Sequence, residues 1–200
     1  MGIADELYEC GAIKFGEFML HSGKKSPVYL DMRVVPSWPD IFRRLAMLCT
    51  EMANVIGPDI VAGVATGGVP WATIVAYESR LPLVYVREAK KGHATRKLVE
   101  GFLREGSRIL LVDDVATTGT SLLEAAKGLR EVGGIVSKSL VVVDRGQGAK
   151  DRLKEQGIEL LSVYTLSQLL DELARRDSLR EKVEVVVKWL SMEDGEAGTS

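Results

Sequence analysis

The sequence lacks the features that several classes of protein require. It has only two cysteines, Cys10 and Cys49, and they do not have the spacing of metal ligands. No apolar run approaches the roughly 18 residues of a membrane-spanning helix, and the first residues lack the basic and apolar regions of a secretory signal. We therefore expect buried free thiols, no zinc site, a cytoplasmic location and no membrane partner.

The sequence also lacks a large excess of charge of either sign. The formal net charge is -2 over 200 residues, although 27% of them are charged. A protein that binds nucleic acid over much of its surface has a clear basic excess, so nucleic acid is not an expected partner. Hydrophobic residues make up 46% of the chain, with glycine and proline scattered along it. This composition indicates one globular domain, with or without a small appended lobe.

Strand-like runs alternate with helical patterns through the middle of the chain. The predicted strands are residues 59–65, 81–86, 108–113, 135–144 and 159–164, and the predicted helices between them are 68–78, 121–132 and 149–156. This alternation predicts an α/β fold with a mainly parallel sheet flanked by helices. Ligands of such sheets bind at the carboxyl ends of the strands.

The two ends of the chain have other patterns. Residues 1–58 contain a short helix, two short strands around a basic turn, and a helix with one apolar face, and we expect this segment to cap the edge of the sheet. Residues 59–192 are predicted to form the core together with C-terminal helices between residues 166 and 190. The polar residues 193–200 are predicted to be a disordered tail.

One segment carries specific chemistry. An apolar strand, Ile109 to Val112, is followed by Asp113, Asp114 and the hydroxyl-rich turn of residues 117–121. Backbone N–H groups and hydroxyls at the start of a helix bind phosphate monoesters. Carboxylates at a buried strand end are costly without a task, and here they can accept hydrogen bonds from a diol and order Mg²⁺ through its waters. A ribose 5-phosphate that bears a pyrophosphate meets these demands, whereas an ordinary capped strand–turn–helix explains the turn but not the acids.

Three further segments follow predicted strands. The turn Ala65 to Gly68 is either an anion-binding loop or a plain tight turn. Residues 87–100 contain five Lys or Arg residues and one His against two acids, which is either solvated surface or a basic lid over an anion. Arg145 follows Asp144, and its planar guanidinium is either in a surface ion pair or positioned for a carboxylate or carbonyl on a flat ring.

Together these segments resemble one family over roughly residues 8–190. Residues 109–121 resemble the phosphoribosyl-pyrophosphate (PRPP) signature of type I phosphoribosyltransferases. The run from Phe15 to Tyr29, Phe-Gly-Glu-Phe-x-Leu-x-Ser-Gly-x-x-Ser-Pro-x-Tyr, resembles the substrate-capping segment of orotate phosphoribosyltransferases. Residues 87–93, with the pattern Arg-x-x-Lys-Lys-x-His, and the Asp144-Arg145 pair are similar to the flexible loop and the orotate-holding arginine of that family.

The resemblance implies a fold and a reaction. The fold would be that of type I phosphoribosyltransferases, with a small N-terminal hood. The reaction would be transfer of the phosphoribosyl group from PRPP to orotate in de novo pyrimidine synthesis, giving orotidine 5′-monophosphate (OMP) and pyrophosphate. Magnesium would be the cofactor, held mainly by PRPP, with Asp113 and Asp114 nearby. The enzyme would be a homodimer whose basic loop reaches the neighbouring subunit's site.

The resemblance also implies residue roles. The catalytic residues would be Asp113, Asp114, Lys90, Lys91 and His93. The PRPP-binding residues would be Thr66, Gly67, Arg87, Lys91, His93, Asp113, Asp114, Val115, Ala116, Thr117, Thr118, Gly119, Thr120 and Ser121. The orotate-binding residues would be Lys25, Tyr29, Thr117 and Arg145, although Tyr29 is equally consistent with a core aromatic on a short strand.

Two positions depart from the pattern of bacterial relatives. His21 and Gly67 stand where those relatives have lysines, so the contacts of those lysines are not carried over. Two alternatives belong to other classes. A purine-salvage phosphoribosyltransferase would keep the PRPP site but not the segment from Phe15 to Tyr29 or Arg145. A PRPP-sensing regulator that binds DNA needs a basic recognition helix, and none is evident.

Overall fold

The central strands are built from continuous apolar runs, which is typical of a parallel sheet covered on both faces. The computed structural model describes residues 2–19, 23, 25–87 and 98–197, with side chains through residue 192. The strands are β1 (Ile13–Met19), β2 (Lys25–Leu30), β3 (Ile60–Val64), β4 (Leu83–Val86), β5 (Val99–Glu100), β6 (Arg108–Ala116), β7 (Ile135–Asp144) and β8 (Glu159–Thr165). All five residues of β3 are buried, as are residues 109–113 of β6.

The helices follow the predicted amphipathic patterns. They are α1 (Ile3–Glu9), α2 (Pro39–Ile56), α3 (Gly68–Ser79), α4 (Thr120–Glu131), α5 (Ala149–Glu155), α6 (Leu166–Leu173) and α7 (Asp177–Ala197), with a 3-10 helix at Met32–Ser37. In α4 the buried residues Leu122, Ala125, Ala126 and Leu129 recur at the helical spacing. The predicted helices at 68–78, 121–132 and 149–156 are therefore confirmed within one residue at each end.

The sheet has the strand order β5-β4-β3-β6-β7-β8. The pairs β3–β4, β3–β6 and β6–β7 are parallel, which confirms the predicted architecture. Strand β5 was not predicted, and it pairs antiparallel with β4. It has two residues next to a charged segment, so no alternation of apolar and polar residues marks it in the sequence.

Strand β6 is longer than predicted. It was expected to end at Asp113, but its ladder with β7 continues, with Asp113 beside Val141 and Ala116 beside Asp144. The acid pair therefore lies within the part of β6 that pairs with β7, and the hydroxyl-rich turn begins only at Thr117. The end of β6 was predicted too early because aspartate is rare inside strands. Here pairing with the long strand β7 overrides that preference.

An ion pair fastens the other ends of two central strands. The Nε and Nη2 atoms of Arg108 donate to the Asp59 carboxylate at 3.1 and 2.9 Å, and the Arg108 backbone N–H donates to it at 2.8 Å. These bonds lower the pKa of Asp59 to about 2. The fork holds the amino-terminal ends of β3 and β6 together, and this register brings their carboxyl ends side by side.

Contacts divide the chain into two compact units. The first consists of residues 1–42 and 164–200, and the second of residues 43–163. This differs from the predicted division into 1–58 and 59–192. In the first unit α1 packs against α6, and α7 packs against β2, so the end of the chain returns to its beginning. Local sequence patterns cannot reveal such a long-range return.

The first unit carries a hairpin and the C-terminal helices. Strands β1 and β2 pair antiparallel, which confirms the two predicted N-terminal strands; residues 20–22 and 24 of their turn lie outside the described residues. The guanidinium of Arg176, just before α7, contacts Asp5 at 3.3 Å and Glu9 at 3.1 Å. Helix α7 extends to Ala197, so the helix continues beyond the predicted start of the tail at residue 193. Glutamate and alanine in this stretch are good helix formers.

The two cysteines are free. Cys49 is buried in α2, and burial raises the pKa of its thiol to about 12. Cys10 is only half-buried, unlike the prediction, because it lies at the C-terminal end of the short helix α1. A thiol with a raised pKa is a poor nucleophile and metal ligand, which gives Cys49 a packing role.

Candidate active site

The candidate site lies in the second unit, where three neighbouring parallel strands end. Strands β3, β6 and β7 end at Val64, Ala116 and Asp144. Because the strands are parallel, their carboxyl ends meet at one edge of the sheet. The loops that follow β6 and β7 carry the hydroxyl-rich turn and Arg145, as the sequence predicts.

The two acids have different surroundings. Asp113 is 6% exposed, whereas Asp114 is half-buried. Oδ1 of Asp113 accepts from the Asp114 backbone N–H at 2.9 Å, and Oδ1 of Asp114 accepts from the Val115 N–H at 2.8 Å. Burial, and then the adjacent Asp114 charge, raise the pKa of Asp113 well above its ordinary value. The pair therefore favours one negative charge, with Asp114 as the better solvated carboxylate.

The glycine turn, residues 65–68, packs directly against the acid pair. A Cβ on Gly67 would lie 2.5 to 2.7 Å from the atoms of the Asp114 carboxylate. A Cβ on Gly68 would lie 2.5 Å from the Val112 carbonyl oxygen and 2.8 Å from the Asp113 Cα. The Gly68 distances involve backbone atoms, so that position requires glycine for close approach rather than for an unusual backbone angle, whereas a Cβ at Gly67 would require the Asp114 carboxylate to move. The turn therefore lies directly against the acid pair, and its binding of an anion stays a prediction.

Helix α3 begins at Gly68, beside the acids. Its N-cap is Gly67, which has no side chain of its own to cap this end. The first N–H groups of a helix lack intrahelical partners and carry partial positive charge. Thr66, before the cap, is exposed. The start of α3 is therefore suited to an anion held next to Asp114.

A second helix N-terminus follows the hydroxyl-rich turn. Gly119 is in the left-handed region with φ of 76° and is the N-cap of α4, which no described side chain caps. The first helical hydrogen bond runs from Leu123 N–H to Gly119 O at 2.9 Å. Thr118, Thr120 and Ser121 are exposed, and Thr117 is half-buried. Hydroxyls and helix N–H groups thus surround a position where an anion can sit.

A basic residue that sequence reasoning missed contacts this turn. The Nη1 atom of Arg152, on α5, donates to the Thr118 carbonyl oxygen at 2.6 Å and to the Thr120 Oγ1 at 3.2 Å. Nothing in the sequence marks Arg152, because it is one of several charged residues on a short helix. Its partners lie more than 30 residues earlier in the chain.

Arg145 is buried at the same edge. Only 7% of its surface is exposed, and its backbone N–H donates to the Ala116 carbonyl oxygen at 2.9 Å. The preceding Asp144 turns inward, with Oδ1 accepting from the Gly146 N–H at 2.9 Å. A surface ion pair, the first alternative for Arg145, does not describe a buried guanidinium. The chain bearing it is anchored to the end of the strand that carries the acids.

The basic segment begins and ends on neighbouring strands. Arg87 follows β4, and its N–H donates to the Leu98 carbonyl oxygen at 2.8 Å. Its Nη1 also contacts Glu100 Oε1 of β5 at 3.2 Å. Arg87 is thus held at the base of the segment; residues 88–97, which include the predicted site residues Lys90, Lys91 and His93, lie outside the described residues.

The predicted base-binding residues Lys25 and Tyr29 belong to the first unit. The Tyr29 ring stacks on Phe18 with centroids 5.4 Å apart, and its hydroxyl accepts from Arg33 Nη2 at 2.9 Å. Lys25 is exposed, with Nζ 3.5 Å from the Glu17 carboxylate. Their contact with a base stays a prediction. Arg33 was not predicted; it orients Tyr29 and also contacts Asp31 at 2.7 Å.

Metal and membrane features complete the description. The described part of the chain has no group of three or more His, Cys, Asp or Glu side chains arranged to hold a metal ion. Among these same residues, no helix combines the length and apolar character needed to span a bilayer.

Comparison with known proteins agrees with this geometry. Residues 37–160 match the phosphoribosyl transferase domain family. The chain is 42% identical over 181 residues to an orotate phosphoribosyltransferase of Sulfolobus acidocaldarius, covering 90% of this chain and 91% of the relative. It is 43% identical to one of Methanocaldococcus jannaschii, covering 82% and 92%. The crystal structure of the Aeropyrum pernix orotate phosphoribosyltransferase has a TM-score of 0.81 at 41% identity, covering 88% and 99%. This chain therefore belongs to the orotate phosphoribosyltransferase family.

Proposed function

We propose that this protein transfers the 5-phosphoribosyl group of PRPP to orotate, giving OMP and pyrophosphate in pyrimidine nucleotide synthesis. The observation that carries the proposal is the position of the acid pair between two helix N-termini, with a buried arginine at the end of the next strand. Two anion sites that flank one carboxylate fit a sugar with phosphates at both ends. The arginine adds a site for a carboxylated base.

The α4 end of the site suits the 5′-phosphate. Residues Ala116 to Ser121 provide backbone N–H groups, and the exposed Thr118, Thr120 and Ser121 provide hydroxyls. A phosphate monoester needs several donors around one small concave turn, and the αL glycine at 119 lets the backbone form that turn. Val115 lies between this turn and the acids and would contact the sugar phosphate through its backbone.

The α3 end suits the diphosphate. Thr66 and Gly67 would bind it through backbone and hydroxyl groups, close to Asp114. Arg87, Lys91 and His93, with Lys90, would add positive charge from the basic segment. As the bond to the diphosphate breaks, negative charge grows on the leaving group, so fixed dipoles and cations there stabilise the transition state.

The acid pair suits the ribose. A carboxylate accepts hydrogen bonds from the sugar's two hydroxyls and, as the bond to diphosphate breaks, stabilises positive charge that develops on the ring. The half-buried Asp114 is the member of the pair with the better access. The ring nitrogen of orotate ionises readily, so the reaction requires no strong general base, and we assign none.

Arg145 suits orotate. A planar guanidinium binds a carboxylate or a carbonyl pair with two parallel hydrogen bonds, and burial strengthens this interaction. Thr117, half-buried on the preceding turn, is the nearest predicted neighbour for the base.

Magnesium fits the site as a metal carried by the substrate. The pair Asp113 and Asp114 offers too few protein ligands for a closed metal site, and each acid already accepts a backbone hydrogen bond. Mg²⁺ in such sites keeps several waters and binds substrate phosphates, with one or two carboxylates nearby. It would neutralise charge on the departing diphosphate.

We also propose that the working unit is a homodimer in the cytoplasm. Three aromatic side chains are exposed on α3, β4 and the loop after β5: Tyr77, Tyr85 and Phe102, at 77%, 38% and 83%. Exposed apolar side chains of this size suit burial against a second copy. The two free cysteines are compatible with a reducing compartment.

The reaction is tested by offering the enzyme a choice of bases. With PRPP and Mg²⁺, orotate should be converted to OMP, whereas uracil, adenine, hypoxanthine and guanine should not react. The cations around the base site are arranged for a carboxylated ring, so bases without a carboxylate bind poorly. Nucleotide products are identified by chromatography against standards. Formation of a purine nucleotide instead of OMP would support the salvage alternative and refute the proposal.

Substitution of Arg145 tests the base site. Arg145→Ala should raise the orotate KM by about 10- to 100-fold, because a charged hydrogen-bond pair is lost. The PRPP KM should change far less. Arg145→Lys, which keeps the charge but not the planar fork, should fall between Arg145→Ala and the native enzyme. Equal increases in both KM values would remove Arg145 from the base site.

Substitution of the acids separates their roles. Asp114→Asn should lower kcat by about 10²–10³, the usual effect of removing one preorganised charge. Asp113→Asn should lose less activity, because the raised pKa of Asp113 already favours its neutral form, which asparagine mimics. Steady-state kinetics of both variants measure this difference in kcat. Near-native turnover by Asp114→Asn would show that the acid pair has a structural role only.

The pH dependence of stability tests the raised pKa of Asp113 without relying on activity. A raised carboxyl pKa means that the folded protein keeps a proton that the unfolded chain loses above its ordinary value of 3.8. The free energy of unfolding then falls as pH rises through that window, until Asp113 ionises in the folded state. Thermal unfolding from pH 4 upward should show a smaller fall for Asp113→Asn than for the native protein.

Subunit exchange tests the shared site. A chain with Lys90→Ala and Lys91→Ala is mixed with a chain with Asp113→Asn and Asp114→Asn. If each site takes its lysines from the partner, every heterodimer has one intact site, and statistical pairing restores about one quarter of native activity. If the lysines act within their own chain, no heterodimer has an intact site. Activity no higher than that of the separate variants, with exchange verified by mass spectrometry, excludes sharing.

A further inference from the structure

Helix α5 contacts the hydroxyl-rich turn at two points. The first is the pair of hydrogen bonds from Arg152 Nη1 to Thr118 O at 2.6 Å and to Thr120 Oγ1 at 3.2 Å. The second is the start of the helix, where Ala149 packs so closely that a Cβ on Gly119 would lie 3.3 Å from its Cα. Helix α5 therefore contacts the turn at Gly119 and at the residues on both sides of it.

The hydrogen bonds also orient the hydroxyls of the turn. A guanidinium has donors only, so Thr120 Oγ1 must accept from Arg152. Its own proton is then available to a different acceptor. Thr118 Oγ1 lies 3.1 Å from Thr120 Oγ1, so Arg152 is linked to both exposed hydroxyls as well as to the backbone between them.

The turn has reason to need such a brace. Glycine can adopt more backbone conformations than any other residue, so the left-handed conformation of Gly119 needs contacts that select it. Each group that must be ordered on binding reduces the affinity for a ligand, and a turn held in its binding shape avoids that loss. The described partners of the Thr118 carbonyl oxygen include only Arg152, which comes from another helix.

We propose that Arg152 is a positioning residue for PRPP binding. It holds the hydroxyl-rich turn in the shape that receives the 5′-phosphate and acts through Thr118 and Thr120. This role rests on the proposed function, since it assigns the turn to PRPP. It makes a specific distinction: loss of Arg152 weakens PRPP binding but leaves the orotate site unchanged.

Arg152→Ala is the first test. We expect the PRPP KM to rise about tenfold, the usual effect of losing a charged hydrogen bond, with the orotate KM within about twofold of native. Lys154→Ala is the matched control, because it removes a cation from the same helix at an exposed position without a described contact to the turn. Its kinetics should be native. An unchanged PRPP KM in Arg152→Ala would overturn the proposal.

A further comparison separates positioning from charge. Arg152→Lys keeps the charge and a donor and should recover much of the PRPP affinity, whereas Arg152→Gln, which keeps length but not charge, should recover less. A double-mutant cycle of Arg152→Ala with Thr120→Ala should be non-additive, because both remove the same contact. Additive effects would mean that Arg152 acts only through long-range charge and would contradict the proposal. If Arg152→Ala does not fold, Arg152→Gln replaces it in the cycle.

Direct binding distinguishes this inference from the proposed function. PRPP binding is measured by isothermal titration calorimetry without orotate. A native protein that binds PRPP but makes no OMP refutes the proposed reaction, and the Arg152 variants still report on the turn. A native protein that makes OMP, with Arg152→Ala binding PRPP as tightly as native, refutes the role of Arg152 alone. A native protein that does not bind PRPP refutes both.

Discussion

The close packing of the glycine turn against the acid pair is the constraint on which the rest of the site depends. With no side chain at Gly67 or Gly68, the start of α3 lies against the end of β6, next to Asp113 and Asp114. Carboxylates alone would repel a diphosphate, but the partial positive charge of a helix N-terminus offsets that repulsion at short range. A Cβ at Gly68 would lie 2.5 Å from the Val112 carbonyl oxygen and would force the start of α3 away from the acids.

The different burial of Asp113 and Asp114 gives the two adjacent carboxyl groups different properties. Asp113 sits inside the β6–β7 ladder, where a charge is expensive, and its raised pKa reflects that cost. Asp114 is half-buried beside the glycine turn. Two full charges on adjacent residues would destabilise the strand and would repel the diphosphate of the proposed ligand, so one charge beside the sugar would suit both.

Much of this site was predictable because its information is local. An apolar strand followed by two acids, a hydroxyl-rich turn and a helix placed Asp113, Asp114 and residues 117–121 at one edge of a parallel sheet, and the structure has them there. Arg145 followed from the same rule. The end of β6 was misplaced because ladder pairing, not residue preference, decides where a strand stops.

What could not be predicted depends on distant contacts. Arg152 braces a turn more than 30 residues away, and the chain shows no pattern that connects them. The division of the chain into units likewise depends on α6 and α7 packing against N-terminal elements. The sequence likewise does not reveal that the glycine turn packs against the acid pair, since that contact joins residues more than 40 positions apart.

The same packing gives a physical account of the missing lysine at Gly67. In this backbone, the first carbon of a side chain there would lie 2.5 to 2.7 Å from the Asp114 carboxylate, so a lysine would require that carboxylate to move. The chain instead places helix dipoles at the site, which are fixed by the fold and lose no side-chain entropy on binding, unlike a lysine, which loses up to about 2 kcal/mol. The cations that we propose for the diphosphate from the basic segment between β4 and β5 would then add to the partial charge of these helix ends.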